Sequence, residues 1–422
     1  MSRILDISAK CLLGCGLALA MFASFGVAHA QNFKLLYSFQ GSYSGPDGAQ
    51  PHGGLIADKA ANLYGTTESG GASGYGAVFE LESDGTESVL YSFTFGNNGV
   101  DGYWPIGALL EDKAGNLYGA TIQGGGAANC GTIFKLAPGG VETVLYAFKG
   151  GSDGCDPSGS LVADRHGNLY GSTPLGGDSS CDVGWGCGTI FKLSPDGKES
   201  VLHRFVGGSD GQTPNAPLIL DNSGNLYGTT YGPNPADCYE DCGTVFKLAP
   251  DGTEAILYTF CTQRYCPDGS SPEGGLISDN AGNLYGTTSY YGANGGGTVF
   301  ELAADGTETS LYSFGFYGSD GSFPLGTLVA DGQGDLYGVT WSGGGRGCKG
   351  YGCGDIFKVT PGGTETVLHS FQIWTGVYPT GSLIKINGYL YGTTESGGGS
   401  SNCGTNHKRV PYGCGTVFAI KK

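Results

Sequence analysis

Beyond residue 30 the apolar residues fall in short runs of four to six positions, separated by Gly, Asp, Asn and Pro. No apolar stripe returns every 3.6 residues over a helix length, so the pattern predicts strands and turns with very little helix. The runs keep one order. Gly54 to Asp58 (Gly-Leu-Ile-Ala-Asp) precedes Asn62-Leu63-Tyr64-Gly65-Thr66-Thr67, and a glycine-rich loop leads on to Ala77-Val78-Phe79-Glu80-Leu81. An Asp84-Gly85 turn then supplies the positive φ of a hairpin before Ser88-Val89-Leu90-Tyr91-Ser92-Phe93. These are strands a, b, c and d. Leu-Tyr-Gly recurs with its tyrosine at Tyr64, Tyr118, Tyr170, Tyr227, Tyr285, Tyr337 and Tyr391, 52 to 58 residues apart. That period is too long for a two-helix repeat.

The chain ends decide between an open stack and a ring. Leu35-Leu36-Tyr37-Ser38-Phe39 reads as a d strand without a repeat, while strand c of the last repeat, Gly415 to Ile420, is followed by no d strand. The surplus matches the deficit. The expected fold is all-β, a seven-bladed β-propeller of four-stranded antiparallel blades forming one domain over 31–422. The N-terminal strand, 35–39, should complete the blade formed by 381–420. An open solenoid is the competing reading, and it would leave edges that closure removes. Each blade lies between two others, so most of the 25 tyrosines and 20 phenylalanines are expected to pack.

Residues 1–30 read as a signal peptide. Arg3 and Lys10 give a basic start, Cys11 to Val27 is apolar, and Ala28-His29-Ala30 is a small-x-small cleavage site. A lipoprotein box at Leu12-Leu13-Gly14-Cys15 is the rival, but there the apolar run follows the cysteine instead of preceding it. The run is shorter than the roughly 20 residues of a membrane helix, and no second one follows. The expected product is exported, periplasmic or extracellular after cleavage following Ala30, with no transmembrane segment in the mature chain and a monomeric state. A net charge of −17 argues against nucleic acid and anionic lipid as partners. The 82 glycines suggest disorder, but 12% aromatic content and strict phrase order argue for a packed fold.

The mature cysteines come mostly in close pairs: Cys181/Cys187, Cys238/Cys242, Cys261/Cys266, Cys348/Cys353 and Cys403/Cys414, leaving Cys130 to pair with Cys155. In an exported chain disulfides are the default. Zinc is the alternative, and it requires pairs from different repeats to converge. No metal or cofactor is expected; calcium lacks a ligand pattern of its own.

With strands alternating in direction, the a–b and c–d turns share one face and the b–c and d–a loops the other. The second set varies in length and carries every mature cysteine, and varied loops on a rigid scaffold are where binding resides. The d–a loops repeat Asp-Gly-x-x-Pro at Asp47, Asp101, Asp153, Asp210, Asp268 and Asp320, with Thr375-Gly376 in the seventh. Six such carboxylates would be candidate ligand-binding residues crowning the channel rim, attracting a cation or a basic group. The plainer reading has each aspartate cap its own turn, and repetition favours it, since a site needs only one copy.

No catalytic residue is identified. Gly150-Gly151-Ser152-Asp153-Gly154 and Gly207-Gly208-Ser209-Asp210-Gly211 match G-x-S-x-G but lie between strands, away from any strand-to-helix elbow. His52, His166, His203, His369 and His407 are scattered, and His203 and His369 replace the tyrosine of strand d. Asn406-His407-Lys408-Arg409 is a basic spot on an acidic chain. Paired carboxylates for glycoside chemistry would meet only in three dimensions.

Gly-Gly-Leu-Ile-x-Asp, Gly-Asn-Leu-Tyr-Gly-Thr-Thr, Gly-Thr-Val-Phe-Lys-Leu and Asp-Gly-Thr-Glu-x-x-Leu-Tyr-Ser-Phe together resemble the Gloeo-Verruco (GloVer) tandem repeat. The resemblance runs from Leu35 to Lys422 and implies an exported bacterial protein of the choice-of-anchor type, without assigned catalytic residues. Ile420-Lys421-Lys422 follows a strand directly, so an anchoring tail is not expected. Phrase order also looks like that of NHL-type propellers, an analogy of fold. The expected function is a non-enzymatic binding or surface-interaction module for a glycan, peptide or protein. The alternatives are a secreted polysaccharide hydrolase or lyase with carboxylates at the channel mouth, and a structural envelope protein.

Overall fold

Each residue of Leu-Tyr-Gly has its own task, as blade 4 illustrates. Leu226 is buried in the core. The Tyr227 hydroxyl donates to Asp221 Oδ2 at 3.3 Å, while Asp221 Oδ1 accepts from the Ser223 and Asn225 amides, both at 2.8 Å. That aspartate caps the a–b turn and ties it to strand b. Gly228 lies under the Phe246 ring of strand c, where a Cβ would stand 2.7 Å from ring Cζ. The other six copies meet their own strand-c phenylalanine the same way, at 2.5 to 2.7 Å.

The structure is a computed structural model describing residues 32–41, 45, 47–95, 99–178, 181, 185–232, 242–316, 318–345, 348, 352–400, 403 and 413–422. The signal-peptide segment, Cys238 and Asn406 to Arg409 lie outside the described residues. Seven antiparallel sheets form the ring, each with its strands in chain order except the last. Blade 1 comprises Ile56–Ala57, Leu63–Thr67, Ala77–Leu81 and Glu87–Ser92. Blade 2 adds a short strand, Tyr103–Pro105, beside its strand b. Blade 7 is built of Ile384–Ile386, Tyr389–Thr394 and Thr416–Lys421, completed by Phe33–Ser38. Phe33 stands opposite Ile420 and Leu35 opposite Phe418, so the N-terminal strand closes the ring. It begins two residues before the expected start, because Phe33 and Lys34 also find partners. Among the described residues, no helix is long and apolar enough to cross a membrane.

A bulge interrupts the c–d pairing of every blade, as between Val78 and Phe79 in blade 1. It breaks the simple alternation of strand d and raises local twist, which suits a blade's outer strand. Between blades the repeated contact is a phenylalanine pair. The phenylalanine after strand d packs edge-on against the strand-c ring of the next blade, from Phe39–Phe79 round to Phe371–Phe418, with centroids 4.9 to 5.3 Å apart. Each such pair contributes about 0.5–1.5 kcal/mol beyond the burial of its area.

Candidate functional site

Every blade enters strand a through proline, one variable residue, and glycine or alanine. The third position must be small because backbones of neighbouring blades meet at the axis. A Cβ on Gly53 would stand 2.6 Å from the Gly107 carbonyl oxygen, and one on Gly381 2.7 Å from that of Gly53. These segments line a central opening of about 280 Å³. The variable residue is His52, Ile106, Ser158, Asn215, Glu273, Leu325 or Thr380.

The residue before each proline is left-handed in all seven blades. Gln50, Trp104, Asp156, Thr213, Ser271, Phe323 and Tyr378 have φ between 52° and 61°. Such backbone costs about 1–2 kcal/mol per residue for anything with a Cβ. For six of them, Gln50, Trp104, Asp156, Thr213, Ser271 and Tyr378, a hydrogen bond donated by the amide across the blade interface at 2.7 to 3.0 Å offsets it. The Gln50 amide donates to Cys414 O at 2.8 Å, Thr213 to Cys187 O at 2.8 Å and Tyr378 to Cys353 O at 3.0 Å. An identical strained backbone thus carries seven different residues, one before each of these prolines.

One side of that face is charged. His52 Nε2 lies 2.9 Å from Glu68 Oε2 and 3.9 Å from Glu395 Oε1. Burial pulls the His52 pKa down, but the hydrogen bond to Glu68 and the charges of Glu395 and Glu68 outweigh it, so the net shift is upward. Burial raises Glu395, and it also raises Glu273 although Ser289 Oγ donates to that carboxylate at 2.9 Å. The arrangement offers an imidazole held between carboxylates and a carboxyl inclined to keep its proton.

An aromatic group adjoins the charged side, the Glu395 amide donating to Tyr378 O at 3.0 Å. Trp341, at the end of strand b in blade 6, stacks on Tyr378 with centroids 4.5 Å apart and planes at 15°. Phe323 touches Trp341 edge-on at 6.3 Å and meets Tyr290 at 5.1 Å and Phe316 at 5.6 Å. Tyr290 is 44% and Phe316 56% exposed. A second group joins Tyr75, Phe95, Tyr103 and Trp104 at 5.1 to 5.7 Å.

The six loop aspartates are not among the residues lining the opening. Each caps its own d–a turn. Asp101 Oδ2 accepts from the Tyr91 hydroxyl at 2.9 Å and the Thr94 amide at 3.0 Å. Asp47, Asp153, Asp268 and Asp320 repeat this with Tyr37, Tyr146, Tyr258 and Tyr312, and Asp210 with His203. Each also faces a glutamate at the start of strand d in the next blade. Burial, and then the neighbouring aspartate, push Glu87, Glu142, Glu199, Glu254 and Glu365 up to about 7. Burial and Asp268 lift Glu308 to the same level against a hydrogen bond from Ser310.

The sequence matches the model of the Gloeobacter/Verrucomicrobia repeat over residues 24–240 and 180–407. The chain belongs to this family. No curated protein sequence matches it. Among solved structures, a proposed gluconolactonase is 12% identical with a TM-score of 0.40, covering 92% of this chain and 91% of that one. A luciferin-regenerating enzyme is 16% identical with a TM-score of 0.44, covering 74% and 90%.

In this Gloeobacter/Verrucomicrobia repeat protein five disulfides stiffen the same loop face. They are Cys130–Cys155, Cys181–Cys187, Cys261–Cys266, Cys348–Cys353 and Cys403–Cys414, as the spacing predicts. Cys242 is also disulfide-bonded, and its expected partner Cys238 lies outside the described residues. Sequence reasoning missed His52, Glu68, Glu273 and Glu395. The signal was available, because the residue after each proline and the residue closing each strand b change while their neighbours repeat.

Proposed function

We propose that this protein is an exported, non-enzymatic module that binds a neutral glycan on its b–c and d–a loop face. The observation that carries this reading is the Trp341–Tyr378 stack, continued by Phe323 and the exposed rings of Tyr290 and Phe316. The C–H face of a pyranose packs on such rings, while Glu68, Glu395 and Glu273 offer acceptors to its hydroxyls. A carboxylate-rich mouth and a net charge of −17 disfavour an anionic polymer. Five disulfides support an oxidising compartment, in line with residues 1–30 acting as a signal peptide and 31–422 as the mature propeller.

The test is a glycan array probed with the processed protein, followed by calorimetry on the hits. Trp341→Ala and Tyr378→Ala should each weaken binding by about tenfold or more, the scale of 1.4 kcal/mol. If no neutral glycan binds, the reading fails. A polysaccharide hydrolase or lyase is the second reading, favoured by the raised pKa of Glu273 and Glu395 beside the opening. New reducing ends or unsaturated products, abolished by Glu273→Gln, would establish it instead.

A further inference from the structure

Blade 3 differs from its siblings where the loop aspartate meets the next blade. Elsewhere a tyrosine hydroxyl donates to that aspartate; here His203 stands in its place, with Nε2 3.2 Å from Asp210 Oδ1. The ligand atoms of His203, Asp210 and Glu254 all lie within 4.8 Å of one another, and all three residues are partly buried. We propose that these three side chains bind one divalent transition-metal ion, of the zinc class, across the interface of blades 3 and 4.

The donor set fits that ion. An imidazole nitrogen and two carboxylate oxygens suit zinc, which takes nitrogen and oxygen ligands at 2.0–2.2 Å without a geometric preference of its own. Ligand atoms on a tetrahedral ion stand about 3.4 Å apart at those bond lengths, so a small contraction of the triad completes three positions and leaves one for water. Each ligand is already oriented. Phe205 packs edge-on against the His203 ring at 4.7 Å. Asp210 spends Oδ2 on the Val206 amide at 2.7 Å, which turns Oδ1 toward the imidazole. Glu254 Oε1 is shut off from solvent and has no hydrogen-bond partner among the described residues.

The other interfaces are internal controls. Glu87, Glu142, Glu199 and Glu365 carry the same unpartnered oxygen, but beside them stands a phenol, which keeps its proton and is a poor ligand at neutral pH. His369 is the other histidine in a tyrosine slot, and it has neither carboxyl: Thr375 replaces the aspartate and Phe33 the glutamate. His203 alone meets both acids. The ion would clip together two blades that share only side-chain and loop contacts, and by mass action it would stabilise the folded chain.

The test uses tag-free, disulfide-intact protein stripped with a chelator and titrated with Zn²⁺ by calorimetry and with Co²⁺ by absorption. The expected result is saturable uptake of one ion per chain and a rise in Tm with added metal. His203→Tyr restores the residue found at five sibling interfaces, so the metal-free Tm should hold while affinity drops at least tenfold. Glu254→Gln, which keeps the imidazole, should weaken uptake similarly and covers the case in which the tyrosine variant misfolds. The proposal is overturned by absence of saturable uptake, or by uptake unchanged in both variants.

Discussion

Phe33 lies flat on the His369 imidazole, ring centroids 3.8 Å apart and planes at 5°, and the pair sits where the N-terminal strand closes the propeller. At the six other interfaces the corresponding positions hold a loop aspartate, a strand-d tyrosine or histidine, and a glutamate. Here all three are replaced together, by Thr375, His369 and Phe33. The acid pair is lost as a unit and an apolar stack takes its place. A seam held by a terminal strand has no covalent link on one side, so a contact independent of acid titration is a sound way to hold it.

Phe33→Ala should therefore loosen closure. The ring is only partly buried, which places the cost at about 1.5–3 kcal/mol, measurable by urea unfolding. Burial holds the His369 pKa down at about 4. Removing the stacked ring admits water, so the His369 pKa followed by NMR should climb toward 6.5. A truncation with no effect on either quantity would show that the strand does not seal the ring.

The six carboxyl pairs predict how stability depends on pH. Burial, and then Asp101, lift Glu142 from 4.5 to about 7. An acid whose pKa is higher in the folded chain holds its proton there after the unfolded chain has released it. Its contribution is complete below about 4.5 and is lost as pH rises through 7. His369 works the other way, its contribution present above 6.5 and lost as pH falls through about 4. Several glutamates outweigh one histidine, so Tm should fall between pH 5 and 7.5. Glu142→Gln removes one repulsion and should gain about 1 kcal/mol at pH 7.5, allowing for solvent screening at a half-buried pair, and little at pH 4.5. A flat Tm profile would remove the basis for this account.

How much of this could be read beforehand depended on how local its cause was. Leu35 to Phe39 announced ring closure because a strand without a repeat has one place to go. The cysteine pairs were legible for the same reason, being close in sequence. The left-handed Trp104 and Phe323 were not, because nothing in an aromatic residue favours that backbone; a hydrogen bond to the neighbouring blade imposes it on Trp104, whose amide donates to Tyr75 O at 3.0 Å. Nor were the acid pairs. Asp47 and Glu87 belong to different blades, and only the closed ring places one carboxyl against the other. The joint absence of both acids at Thr375 and Phe33 was the trace they left in the sequence.

Two glycines of one blade should answer alanine very differently. Gly85 sits in an exposed c–d turn at φ 92° with nothing within 4 Å of an added Cβ, so Gly85→Ala carries only the backbone penalty of about 1 kcal/mol. At Gly65 a Cβ would stand 2.7 Å from Phe79 Cζ and 3.0 Å from a Leu55 methyl, inside a buried layer. Overpacking there should cost about 1–3 kcal/mol, at the upper end because Phe79 is fully buried and has no solvent to move into. Phe79→Leu destabilises alone, but it makes room for the methyl group. The double variant Gly65→Ala/Phe79→Leu should therefore lose less than the sum of the two single losses in a chemical-unfolding cycle. Strict additivity would mean that the recurring glycine answers to something other than the ring above it.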